Sequence, residues 1–287
     1  MPLWFSFALL SFTFLAASEL IQKHVMSDAS DVSAETNNFI VWSIQGSLAL
    51  VYLLIFIPTF ELFLTPSLLL QLALLGSIYF FAGTLYYTSF KHGSASISIV
   101  VASISIVVTT VLGILLFSES SSLVKFFGIA LIIGAIAALR TKGSTISSKQ
   151  LTPALLGGAL YGVAYTLDKY FSIQLNPHMY QIFFAWSVAL ASLTYRGKKI
   201  YSERNKLHKK IVTSMLVAGF LFFCFNKLTF MAYALQGEVG KIDAINNASI
   251  FLVLLVEIII FKETDNILKK LLTATIAFIG VVLLGLY

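Results

Sequence analysis

Charge is scarce in this chain. Asp, Glu, Lys and Arg make up 11% of it, against ~25% in an ordinary soluble domain, too little to coat a water-soluble globule. The single cysteine, Cys224, excludes a disulfide framework and a cysteine-based metal centre. It lies in an apolar block and reads as a packing residue. The four histidines (His24, His92, His178, His208) are scattered and form no cluster, so an intramembrane metalloenzyme would lack its ligands. There is no G-x-x-x-x-G-K-[ST] loop, which excludes ATP coupling within this chain. Neither enzyme activity nor a cofactor is expected.

What is abundant is apolar length. The chain is 58% hydrophobic with a mean hydropathy of +0.91. Leu, Ile, Val, Phe and Ala recur in blocks of about 20 residues, the length that crosses ~30 Å of hydrocarbon at ~1.5 Å per residue. Ten helices are expected, at 3–25, 38–60, 67–90, 94–117, 122–140, 151–173, 178–195, 211–235, 240–261 and 266–286. They nearly use up the chain and leave no room for a soluble catalytic or nucleic-acid-binding domain. The opening Met1-Pro2-Leu3-Trp4 has no basic region before its apolar run, which reads as a spanning helix rather than a cleaved signal peptide. The net charge is +6, but ten of the 19 Lys and Arg lie in 140–150 and 196–210. That distribution fits topology signals and contact with lipid headgroups, and no nucleic-acid partner is expected.

The two halves repeat each other. A shift of 144 superposes Gly93 on Gly237, Phe117-Ser118-Glu119 on Phe261-Lys262-Glu263, and Lys125 on Lys269; a shift of 146 pairs Lys23 with Lys169. Two five-helix repeats, 1–140 and 151–287, fit the chain. Five is odd, so the second repeat enters the membrane from the opposite side. The expected fold is therefore all-α and polytopic, ten transmembrane helices as two inverted repeats, with a substrate site near the midplane.

The pattern resembles the EamA branch of the drug/metabolite transporter superfamily. The features that carry the resemblance are Lys23 and Lys169 at the ends of helices 1 and 6, the small-residue run Ala95 to Phe117 followed by Glu119, Gly128 nine residues on, and Glu263 with the later Gly280. The sequence departs from that pattern in having no proline in helices 4 and 9 and no arginine in helix 2. Ser118 and Lys262 also stand where the family has Gly before each Glu. The resemblance implies a transporter.

Polar groups inside the spans point to a site, because a charge at the bilayer centre costs roughly 2.5–3.5 kcal/mol on insertion scales and usually faces a cavity or a partner. Helix 8 carries Asn226 and Lys227, the latter about 12 Å deep at ~1.5 Å per residue. On helix 9, Asp243, Asn246, Ser249 and Glu257 fall within about 120° of one another. A hairpin of helices 8 and 9 would make Asn226, Lys227, Asn246 and Asn247 one polar wall. The alternative is that the asparagines only bond across helices and Lys227 pairs with a carboxylate. Glu19 is a second cavity carboxylate or, alternatively, the i, i+4 partner of Lys23. Burial favours the protonated form of a carboxylate, so Glu19 and Glu257 are the candidates for a coupling proton. Tyr79 and Tyr86 are expected to offer an aromatic wall to an amphipathic solute. Glu119 and Glu263 are expected to cap the helices that follow them.

The two basic loops share one side with Lys91 and Lys262, which the positive-inside rule makes cytoplasmic, with both termini outside; the EamA resemblance implies both termini inside. The expected function is secondary transport of a small polar or amphipathic metabolite, amino-acid-like or similar, in the bacterial inner membrane. A flippase of a lipid-linked headgroup and an intramembrane enzyme are the rivals. The expected partners are a small-molecule substrate and membrane lipid, and the chain is expected to act as a monomer or a homodimer.

Overall fold

The computed structural model describes residues 2–26, 32–57, 65–138, 147–260, 262 and 267–286. Its elements are α1 (Leu3–Met26), α2 (Ala34–Phe56), α3 (Pro66–Lys91), α4 (Ala95–Ala102), α5 (Ile104–Phe117), α6 (Leu123–Ala138), α7 (Ser148–Gln174), α8 (Pro177–Ser202), a 3₁₀ turn (Arg204–Lys206), α9 (Lys209–Ala234), α10 (Val239–Asn247), α11 (Ser249–Ile259) and α12 (Ile267–Leu286). No strand occurs among the described residues. The starts follow local chemistry. Ser33 and Thr65 accept backbone N–H groups of the first turns of α2 and α3, and Pro66 and Pro177 stand at first-turn positions that need no donor.

Among the described residues, six segments are long and apolar enough to cross a membrane: α1, α2, α3, Ala95–Phe117, α9 and Val239–Ile259. α6 is apolar but has 16 residues. α7 and α8, at 27 and 26 residues, are long enough but carry more polar side chains. Lipid-type surfaces such as Leu54, Phe56, Leu70, Leu115 and Ile259 lie exposed on the outside, while Trp42, Tyr79, Tyr180, Phe184 and Phe230 fill the interior.

Three expected helices differ from the structure. The runs 94–117 and 240–261 are each interrupted, at Ser103 and at Ala248. Ser103 Oγ bonds back to the Ile99 carbonyl at 3.0 Å, a competition that bends helices. The Ala248 N–H reaches Ile245 O at 3.0 Å, a tighter 3₁₀-type turn. The helix expected at 178–195 continues to Ser202 with non-helical backbone at Arg196, so part of the basic loop 196–210 is helical. Tertiary contacts hold it there: Lys199 pairs with Glu35 at 2.9 Å, and Glu203 accepts from Ser33 and Thr36 at the start of α2.

α1 packs along α9 and α7 along α3; α2 lies against α8, α6 against α12, and α4 and α5 against α7. Glycine permits the closest of these approaches. A Cβ at Gly158 would sit 2.5 Å from the Ala102 carbonyl oxygen, so α7 touches the backbone of the broken helix directly. Likewise a Cβ at Gly280 would sit 2.6 Å from Gly128 O, which puts the two glycines of the repeated pattern face to face.

Candidate functional site

The two broken helices flank a cavity of ≈ 40 Å³ lined by α1, α3, α4, α5, α7, α9, α10 and α11. That volume holds about three waters at 10–15 Å³ of probe volume each. Its polar wall comes from α1 and from the Ala248 turn. Glu19, 5% exposed, accepts from Tyr86 Oη at 2.6 Å and from Ser249 Oγ at 3.4 Å. Asn247 Nδ2 donates to Asp243 Oδ1 at 2.9 Å, and Thr109 Oγ1 donates to Asp243 Oδ2 at 3.2 Å. Asn246 Oδ1 accepts from Ser11 Oγ at 2.6 Å. The apolar wall is Tyr86, Tyr87, Tyr161, Tyr165 and Phe222, with Tyr161 and Tyr165 stacked at 5.4 Å.

Among the described residues, neither Glu19 nor Asp243 has a basic partner. Hydroxyls and an amide are their donors. A carboxylate taken out of water without a cation is expensive to keep ionised. Two of them on one aromatic-lined cavity form a pocket of negative character, suited to an ammonium or to protons.

The expected site residues therefore separate. Glu19, Tyr86, Asn246 and Asn247 meet in the cavity. Asn226 is buried between α9 and α2, where its Nδ2 donates to Gln45 Oε1 at 3.0 Å and Phe222 O at 3.1 Å, and it does not line the cavity. Lys227 stands apart, with its Nζ 3.8 Å from the centre of the Tyr52 ring and in contact with His178 Nδ1. α9 packs along α1 rather than forming a close hairpin with α10, and so Lys227 does not reach the asparagines. Tyr79 packs against Trp42 and Phe184, and its hydroxyl donates to Asp168, which also accepts from Tyr180. Glu257 caps α4, accepting from Ala95 N, Ser96 N at 3.2 Å and Ser96 Oγ.

Other expected pairings changed too. Lys23 reaches Phe90 O at 2.8 Å and Gly93 O at 2.6 Å, while Glu19 turns to Tyr86. Glu119 serves α10, not the helix after it. Its Oε1 accepts from Val239 N at 2.8 Å and pairs with Lys169 at 2.5 Å. Glu263 lies outside the described residues. Tyr161, Tyr165 and Asp168 were not singled out from sequence as site residues. Asp168 had a signal, a carboxylate deep in an apolar span, but it stood beside the repeated Lys169. The tyrosines had none, since aromatics are abundant throughout the chain.

A break in each of two helices, with a polar cavity between them, is the geometry at the centre of the fold. Residues 2–141 match the model of the EamA-like transporter family. The match marks a membrane transporter of the drug/metabolite type and takes in Lys23, the broken run to Phe117, Glu119 and Gly128. No curated protein matches the sequence. A solved crystal structure at 12% identity covers 98% of this chain and 95% of its own length, with a TM-score of 0.66. At that identity the likeness shows a shared fold across both the EamA-like half and the half that follows.

Proposed function

We propose that the protein is a secondary active transporter of a small amphipathic solute bearing an amine, working by alternating access. Glu19 and Asp243 receive the ammonium, Asn246 and Asn247 hold its polar neighbours, and Tyr86, Tyr161, Tyr165 and Phe222 enclose its apolar part. The observation that carries this reading is the pair of buried carboxylates without basic partners on one tyrosine-lined cavity. Glu19 is also the coupling-proton site, since a proton neutralises it when the ammonium leaves. Glu257, engaged in capping α4, is not needed for that role.

Two inverted five-helix halves, 1–140 and 151–287, do the rocking. The mirrored packing of α1 on α9 and α7 on α3 supports the duplication, as do the breaks at Ser103 and Ala248 and the left-handed residues Ser118 and Lys262. Contacts close the cavity on both faces: Lys169 with Glu119 and Val239 on one, Lys23 with the Phe90 and Gly93 carbonyls on the other. A flippase would work through an opening to lipid. The ≈ 350 Å³ groove between α3 and α8, lined by Leu69, Trp186 and Tyr195, shares no lining residue with the cavity, which favours the solute reading.

The test is flux in proteoliposomes with a panel of cationic, zwitterionic and anionic solutes, with and without a pH gradient. Amine-bearing solutes are expected to be carried, and Glu19→Gln and Asp243→Asn each to reduce transport by about tenfold or more, the worth of one charge-assisted contact. Transport of anions alone, or full activity in both variants, would overturn the proposal. Insensitivity to the pH gradient and to an ionophore would remove the proton from it.

A further inference from the structure

Lys227 differs in its partners from several other lysines among the described residues. Lys125, Lys169, Lys199 and Lys241 pair with carboxylates, and Lys23 and Lys91 reach backbone carbonyls. Among the described residues, Lys227 has a second basic group, His178, and the face of Tyr52 as its partners. His178 itself stacks on Tyr52, with ring centres 5.7 Å apart and planes at 30°. Two basic groups pressed together with no acid between them leave ammonium N–H directions that an anion would complete. The three residues come from three helices, α2, α8 and α9, and share no member with the central cavity.

Their depth identifies the surroundings. His178 lies in the first turn of α8 and Tyr52 in the last turn and a half of α2, at the membrane face opposite the basic loops. Lys227 is seven residues from the end of α9, or about 10 Å along the axis at ~1.5 Å per residue. Its contact with His178 draws the ammonium back toward that face, as a snorkelling lysine does. Leu54, Ile55 and Phe56, beside Tyr52, are among the most exposed apolar side chains of the protein, at 60%, 64% and 66%. A cationic group drawn toward a membrane face beside exposed apolar side chains is placed to meet a lipid headgroup.

We propose that Lys227 and His178, on the platform of Tyr52, bind the phosphate of an anionic phospholipid at the α2–α8–α9 corner. The test uses the full-length protein, purified and stripped of lipid in neutral detergent. Its melting temperature is followed as phosphatidylglycerol, phosphatidylcholine or inorganic phosphate is added. Phosphatidylglycerol is expected to raise the melting point, with phosphatidylcholine much weaker. Lys227→Gln is expected to weaken the apparent affinity by about tenfold or more, His178→Gln to weaken it less, and Lys227→Arg to retain it. Equal responses to the two lipids, or an unchanged affinity in both the Lys227→Gln and His178→Gln proteins, would overturn the site. A response to inorganic phosphate matching that to phosphatidylglycerol would overturn the lipid assignment. Because two variants on different helices are read against a charge-keeping third, poor folding of one leaves the question decidable.

Discussion

The Lys169–Glu119 pair offers a quantitative test of how the protein holds itself closed. Its side chains are 6% and 4% exposed, and the Nζ–Oε1 distance is 2.5 Å. The same Oε1 accepts the Val239 N–H at 2.8 Å. One carboxylate thus ties the end of α5, the C-terminal part of α7 and the start of α10. Neutralising one partner leaves the other as an uncompensated charge in a dry setting, which costs about 3–5 kcal/mol. Glu119→Gln keeps an oxygen for Val239 N–H, so its penalty reports the ion pair rather than the cap. Lys169→Met strands Glu119 instead. In the double variant no charge is stranded, and the two penalties should fail to add by about 2–3 kcal/mol. Chemical unfolding of the wild type, both single variants and the double variant in mixed micelles gives the four free energies. Additive penalties, or single-variant losses below about 1 kcal/mol as for an exposed pair, would refute the reasoning.

Two further expectations follow from the connections. Burial pushes the Glu203 carboxyl up, but the Thr36 hydroxyl, the Ser33 amide and hydroxyl, and Lys206 outweigh it and hold its pKa below the ordinary value of 4.5. A depressed carboxylate contributes stability that is fully present above the unfolded pKa and is lost as pH falls through the folded one. The melting-point advantage of the wild type over Glu203→Gln should therefore be constant from pH 7 to about 5 and shrink below about 4.5; an advantage unchanged down to pH 3.5 would contradict the contacts. Ser118 closes α5 with φ 53° and ψ 36°, where an L side chain is strained. Ser118→Gly should raise stability by up to about 1 kcal/mol, and a lower melting point for that variant would count against the turn.

That left-handed turn also explains a departure visible in the sequence. Ser118 and Lys262 stand where the resemblance implies a glycine before each Glu, and both have the positive φ that glycine accommodates freely, 53° and 54°.

Much was legible because membrane insertion is written locally. A span of about 20 apolar residues is favourable on its own, whatever its neighbours, so the class, the helices and the polar stretch from Asp243 to Ser249 stood in the sequence. Which polar residues share a cavity was not legible, because periodicity gives the face of a helix but not what that face meets. Glu19 meets Ser249 across 230 positions, and Asp168 meets Tyr79 across 89. The turn at Ala248 had a further effect: it changed the helical register between Asn246 and Glu257, so a stripe continuous on an ideal helix was divided. Its first part faces the cavity, and Glu257 caps α4. Lys227 was conspicuous from its depth alone, but only the packing of α9 along α1, with α2 and α8 alongside, placed it with His178 and Tyr52 instead of with the asparagines.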